Sequence, residues 1–159
     1  MMLISKNHRT LALFGILLLA LIVAPSAQSY PYGVSGVQDA GCTCHGQSTN
    51  AEVVPVLEGL PIELEAGGTY LLNISFTGGP SGVDPNALAL GGFHLWASAG
   101  SLMNVDDMVK INPDGSATHN GIDATDTGQG NDQTEWQVEW TAPMEGGAKF
   151  ILHTNSVNG

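Results

Sequence analysis

Hydrophobic and polar residues alternate most cleanly from Thr69 onward, with Tyr70, Leu72, Ile74 and Phe76 on one side and Leu71, Asn73, Ser75 and Thr77 on the other. A period of two sends one such face to a core and predicts a strand. Glu135 to Thr141 repeats the pattern, with Trp136, Val138 and Trp140 against Gln137 and Glu139, until Ala142-Pro143 ends it. Between them, Gly92 to Ala99 sets Phe93, Leu95 and Ala97 against His94, Trp96 and Ser98. Both faces hold bulk, which predicts a central strand buried on one side and covered on the other by a loop or by the N-terminal arm. Val53, Val54, Val56 and Leu57 are β-prone but interrupted by Pro55, which cannot donate to a ladder and suits an edge strand or a bulge. Val109 to Asn112 is a short strand closed by the turn Pro113-Asp114-Gly115. Lys149 to Thr154 is the last strand, with Phe150 and Leu152 opposite Ile151 and His153.

No helical period is sustained after residue 30. About seven short strands separated by Gly/Pro turns predict an all-β antiparallel sandwich over residues 52–159. The chain stops at Asn158-Gly159, directly after a strand and on a turn dipeptide, as a copy truncated before a closing strand or a C-terminal anchor would.

Ahead of the sandwich the pattern changes twice. Residues 1–29 carry Lys6, His8 and Arg9, then the thirteen-residue apolar run Leu11 to Val23, then the small residues Ala27-Gln28-Ser29. That order is an export signal cleaved near Ser29. The run is shorter than the ~20 residues a membrane-spanning helix needs, so an uncleaved anchor is the lesser alternative. Residues 30–51 are rich in Gly, Ser, Pro and polar side chains with neither period, and read as an arm in front of the domain.

Without residues 1–29 the chain keeps only Lys110 and Lys149 against its 15 acidic residues, two charges more negative than the −11 of the whole. Nothing there neutralises phosphates, so nucleic acid is excluded as a partner. Export and acidity point to the cell surface or the extracellular medium, with membrane contact only through an anchor or the signal segment.

The chemistry concentrates in the arm, at Gly41-Cys42-Thr43-Cys44-His45-Gly46, which holds both cysteines of the chain. Two thiols and an imidazole within four positions suit covalently attached haem c, or a soft or borderline metal such as copper or zinc. A disulfide across one residue would close a strained, easily reduced ring, and free thiols fare poorly in an oxidising exterior. Cys42, Cys44 and His45 are therefore read as ligands. A complete metal site takes three or four protein ligands, so another must come from elsewhere, and His119 is the best outside candidate. His94 and His153 would approach the arm if it covers their sheet; otherwise they are surface histidines. Asp123, Asp126 and Asp132 lie in a glycine-rich acidic loop, with Asp114 a possible neighbour, and form a weak candidate for calcium. Trp96, Trp136 and Trp140 suit either a core or a carbohydrate platform, and Asn73-Ile74-Ser75 is a glycosylation sequon on a polar face. No nucleophile motif, carboxylate pair or phosphate loop stands out, and the chain is read as not an enzyme.

The order of landmarks resembles a known family. Gly41-Cys-x-Cys-His-Gly, Pro61 with Gly67-Gly68-Thr69-Tyr70, Gly91-Gly92-Phe93 followed by Ser98-Ala99-Gly100, Thr118-His119, Trp136-x-x-x-Trp140-Thr141-Ala142-Pro143 and the terminal Asn158-Gly159 look like the choice-of-anchor V domain of exported prokaryotic proteins. That domain is itself similar to the Reeler (reelin N-terminal) sandwich, an immunoglobulin-like fold. The resemblance spans residues 33–159 and implies an extracellular or surface-attached module. Its members commonly carry Cys-x-x-Cys-His, the haem-attachment spacing; this chain has one residue fewer. The resemblance thus favours haem, and the short spacing favours copper or zinc. The expected function is an exported surface module with a binding or structural role and an N-terminal haem or metal motif. The alternatives are a small extracellular electron carrier with c-type haem, and a calcium-dependent adhesion or carbohydrate-binding module.

Overall fold

The computed structural model describes residues 33–39, 52–79, 91–121 and 133–156. The export segment 1–29, Cys42, Cys44 and His45, and the loop with Asp123, Asp126 and Asp132 lie outside the described residues.

Eight strands are found among the described residues: β1 (Val54–Glu58), β2 (Thr69–Thr77), β3 (Gly91–Ala97), β4 (Ser101–Asn104), β5 (Val109–Ile111), β6 (Ala117–His119), β7 (Glu135–Thr141) and β8 (Phe150–Ser156). They form two four-stranded sheets, ordered β1-β2-β7-β4 and β5-β6-β3-β8. Every recorded strand pair is antiparallel.

The alternating segments became strands for the expected reason. β2 and β7 pair with Leu72 opposite Val138, Ile74 opposite Trp136 and Tyr70 opposite Trp140, so both apolar faces reach the core together. From the other sheet Phe93, Leu95, Val109 and Ala117 close over them. Ring contacts bridge the layers, Phe93 to Trp136 at 5.0 Å and Trp140 to Phe150 at 4.9 Å between centroids. Trp136 and Trp140 are 3% and 0% exposed, so neither ring is available as a carbohydrate platform. β1 carries Pro55 on a sheet edge, as its missing N–H requires.

Two strands have no counterpart among the six segments named from the sequence, β4 and β6, and with them the described residues hold eight where about seven are expected. β3 also ends two residues earlier than expected, because Ser98 to Gly100 turn the chain. Gly100 sits at φ +81°, and a Cβ there would meet Trp140 Nε1 at 2.6 Å. A side chain at that turn would displace the indole beneath it.

Candidate functional site

Directly opposed residues of neighbouring strands share a face. Across the second sheet this gives one row, Lys110 beside Thr118, Thr118 beside His94, and His94 beside His153. The row points away from the sandwich core, since Phe93 and Leu95, on either side of His94, fill that core. Such a face usually meets water.

Here it is covered. Gly33 to Asp39 cross the sheet and are pinned by side chains. Val34 N donates to Thr118 Oγ1 at 3.4 Å, and Asn112 Nδ2 donates to Val34 O at 2.8 Å. Gly36 N donates to Asp114 Oδ2 at 3.0 Å. His153 Nε2 reaches Gln38 O at 3.4 Å. Gly33, at φ +72°, lies so close to Thr118 and the His119 carbonyl that no Cβ would fit. The covered central strand expected from the bulk on both faces of β3 is observed, and the N-terminal arm supplies the cover.

The clamp is the turn between β5 and β6. Asp114 Oδ1 accepts from Ser116 N at 3.0 Å and from Ser116 Oγ at 2.6 Å, which leaves Oδ2 for the arm. These bonds hold the Asp114 carboxyl below the usual carboxylate range, the Ser116 hydroxyl first, with the backbone N–H groups of Ser116 and Gly36 adding to it and partial burial opposing.

His94 is the residue the cover changes most. The expectation of a surface histidine is corrected: it is 0% exposed, and both ring nitrogens are buried without a hydrogen-bond partner. Burial lowers its pKa, the neighbouring His153 lowers it further, and Asp114 opposes both. The ring is therefore neutral near pH 7, and leaving its N–H unpaired costs about 1–3 kcal/mol. His153 is half-buried, its ring centre 6.3 Å from that of His94. Gln38 Oε1, on the arm, is also buried and unpartnered.

Of the site residues read from the sequence, His119 alone is described. It ends β6, where Phe93 N donates to its Nδ1 at 3.2 Å and its ring packs on Gly92. Thr118 Oγ1 donates to Phe93 O at 2.7 Å beside it. His119 is thus tied into the sheet through backbone contacts. Among the described residues no group of three or more His, Cys, Asp or Glu side chains could hold a metal ion. The sequon residue Asn73 is exposed on the outer face of the first sheet and accepts from Gln137 Nε2 at 2.8 Å.

No family model matches the chain, and no curated protein matches it. Solved structures do. The Reelin-N domain of F-spondin aligns with a TM-score of 0.44 and 24% identity over 69% of this chain and 74% of that one. The human F-spondin reeler domain gives 0.44 and 22% identity over 68% and 76%. The chain is similar to Reeler domains. Similarity at this level says nothing about what the chain binds.

Proposed function

We propose that the chain is an exported β-sandwich module of the cell surface or extracellular medium, with a binding or structural role rather than a catalytic one, whose N-terminal arm carries a metal or haem site. The observation that carries the reading is His94, a neutral imidazole sealed without partners beneath the arm that leads, three residues after Asp39, to Cys42-Thr43-Cys44-His45. An orphaned buried imidazole under an arm whose sequence continues to two thiols and an imidazole supports a ligand role. Haem, when bound, would supply one-electron chemistry; zinc would supply a structural cross-link. The role of the chain's own residues is to hold that group against the sheet and exclude water from it. The single residue between the cysteines favours a small ion over haem. Export is supported by the charged, apolar and small-residue order of residues 1–29.

One preparation tests this. Protein exported from a host with haem maturation, grown with zinc and copper, should begin near Tyr30 by mass spectrometry and carry either a Soret band or about one equivalent of metal. An intact Met1 in the membrane fraction would overturn export with cleavage. A secreted chain with no chromophore and no metal would overturn the cofactor reading.

A further inference from the structure

We infer that the outer face of the first sheet is a docking surface for an extended polypeptide segment with a basic residue at every second position. The inference rests on the binding role proposed above and gives it a surface; it depends on neither the cofactor nor the arm.

Opposed residues define two neighbouring rows on this face. In one, Glu58, Asn73 and Gln137 stand side by side on β1, β2 and β7. In the next, Leu71 of β2 and Met103 of β4 flank Glu139 of β7. Both rows point away from the core, because Leu72 and Val138, which lie between them along their strands, are buried in it. Over the first row lies a groove of about 430 Å³, a size within the range of ligand sites, where Asp106 and Glu135 join Glu58. Asp106 Oδ1 accepts from Met108 N at 2.9 Å, which fixes the carboxylate and leaves Oδ2 for a ligand.

The charge of the face selects the sign of its partner. The four strands of this sheet contain no Lys, Arg or His. Outside the export segment the only Lys or Arg residues are Lys110, in β5, and Lys149, just before β8, and both strands belong to the other sheet. A second copy would bring the same acidic excess, and an anionic lipid headgroup the same sign. Both are repelled, whereas a basic partner is drawn in.

The remaining side chains select a polypeptide. Leu71 and Met103 are 47% and 55% exposed on either side of Glu139, and a lysine or arginine lays its aliphatic stem on such surface while its charge meets the carboxylate. A bare cation would leave these apolar groups unused. Gln137 Nε2 donates to Asn73 Oδ1 at 2.8 Å, which leaves Gln137 Oε1 to accept and Asn73 Nδ2 to donate, the two functions that a peptide group needs. Spacing agrees as well. Rows two residues apart lie ~6.8 Å from each other, and an extended peptide repeats its same-side residues at that interval, so successive basic side chains meet Glu58 and then Glu139.

The test uses the full secreted chain and a short fluorescent peptide of alternating lysine and threonine, with binding read by anisotropy at low and physiological ionic strength. A peptide of the same composition in Lys-Lys-Thr-Thr order, a glutamate-threonine peptide and a glucosamine tetramer are the comparisons. The alternating peptide should bind most tightly, weaken with salt, and shift the backbone amide resonances of Asn73, Gln137 and Met103. Glu58→Gln/Glu139→Gln should weaken it by about five- to ten-fold, and Glu63→Gln/Glu145→Gln, which removes the same charge from loops, by less than about two-fold. Met103→Ser should weaken it at both ionic strengths. An equal loss in the two double variants, or equal affinity for the reordered peptide, would reduce the face to general acidity and overturn the inference. Tighter binding of the glucosamine tetramer would overturn the polypeptide. Failure of the lysine peptide to bind would overturn the surface and leave a structural role standing, while metal content and N-terminal mass test the cofactor and export separately. Should Glu139→Gln disturb the circular dichroism spectrum, Glu58→Gln alone and the amide resonances decide.

Discussion

Replacing Trp140 with alanine removes the largest side chain among those fully buried. The indole stacks on Tyr70 at 6.1 Å, meets Phe150 edge-on at 4.9 Å, and donates Nε1–H to Ala99 O at 3.1 Å. It therefore holds β7 to the opposite sheet and to the turn after β3 at once. Truncation of a buried tryptophan costs about 3–5 kcal/mol in transfer and cavity terms. The orphaned Ala99 carbonyl adds about 1 kcal/mol unless water reaches it. Against a total stability of roughly 5–15 kcal/mol, that removes a large fraction of the folded-state margin. With a urea slope of about 2 kcal/mol/M, the midpoint should fall by roughly 1.5–3 M, the upper end applying where the carbonyl stays dry. Trp140→Phe separates the parts, since it keeps most of the apolar volume and loses only the donor and one ring. It should cost much less than alanine. Equilibrium urea unfolding followed by far-UV circular dichroism reads both variants. An alanine variant with an unshifted midpoint would show that the two sheets do not depend on this ring, and the packing argument would fail.

Two further predictions concern the covered face. In metal-free protein the His94 pKa lies below its unfolded value near 6.5, so the unfolded chain binds more protons between the two values; stability should hold above about pH 6.5 and decline as the pH falls below it. Urea midpoints from pH 7.5 to 5 should show that decline, and His94→Gln should flatten it; an identical slope in the variant would assign the effect to other groups, of which His153, Asp114 and Lys110 share the face or its clamp. Gly33→Ala should lift the arm, because a Cβ at φ +72° has no room beside Thr118 and the His119 carbonyl. Amide exchange at Val34 and Gly36 should then accelerate while β2 and β7 keep their protection, and unaltered exchange at those two amides would refute the clamp.

How far the sequence discloses this fold depends on how each element is held. β2 and β7 are legible to the residue because one face of each is apolar at every second position and the other is polar. β4 and β6 are not. Ser101–Asn104 buries only Leu102, and Ala117–His119 has three residues, so neither is long enough to display a period. They are strands because β7 and β3 offer them ladder partners, a tertiary cause that leaves little trace in composition. The arm is a harder case. Its backbone bonds go to Thr118, Asp114 and Asn112 side chains and not to a ladder, so no repeat along Gly33 to Asp39 could announce it. The bulk on both faces of β3 was the one available signal, and it indicated a cover correctly while leaving His94 assigned to the surface by default.

That default conceals the physical oddity of this face. A sandwich needs one buried side per sheet, and antiparallel sheets readily leave the other wet. Had stability alone shaped the arm, the row beneath it would be apolar, as it is on the core side, since burying polar groups without partners costs more than it returns. The row is instead Lys110, Thr118, His94 and His153, and the chain satisfies its members unequally. Thr118 donates to Phe93 O and accepts from Val34, and His153 faces the Gln38 carbonyl, whereas His94 has no partner at either nitrogen. A sheet that clamps an arm through Asp114 and Asn112, and then seals an imidazole under it unpaired, carries a buried polar group whose cost its own hydrogen bonds leave uncompensated.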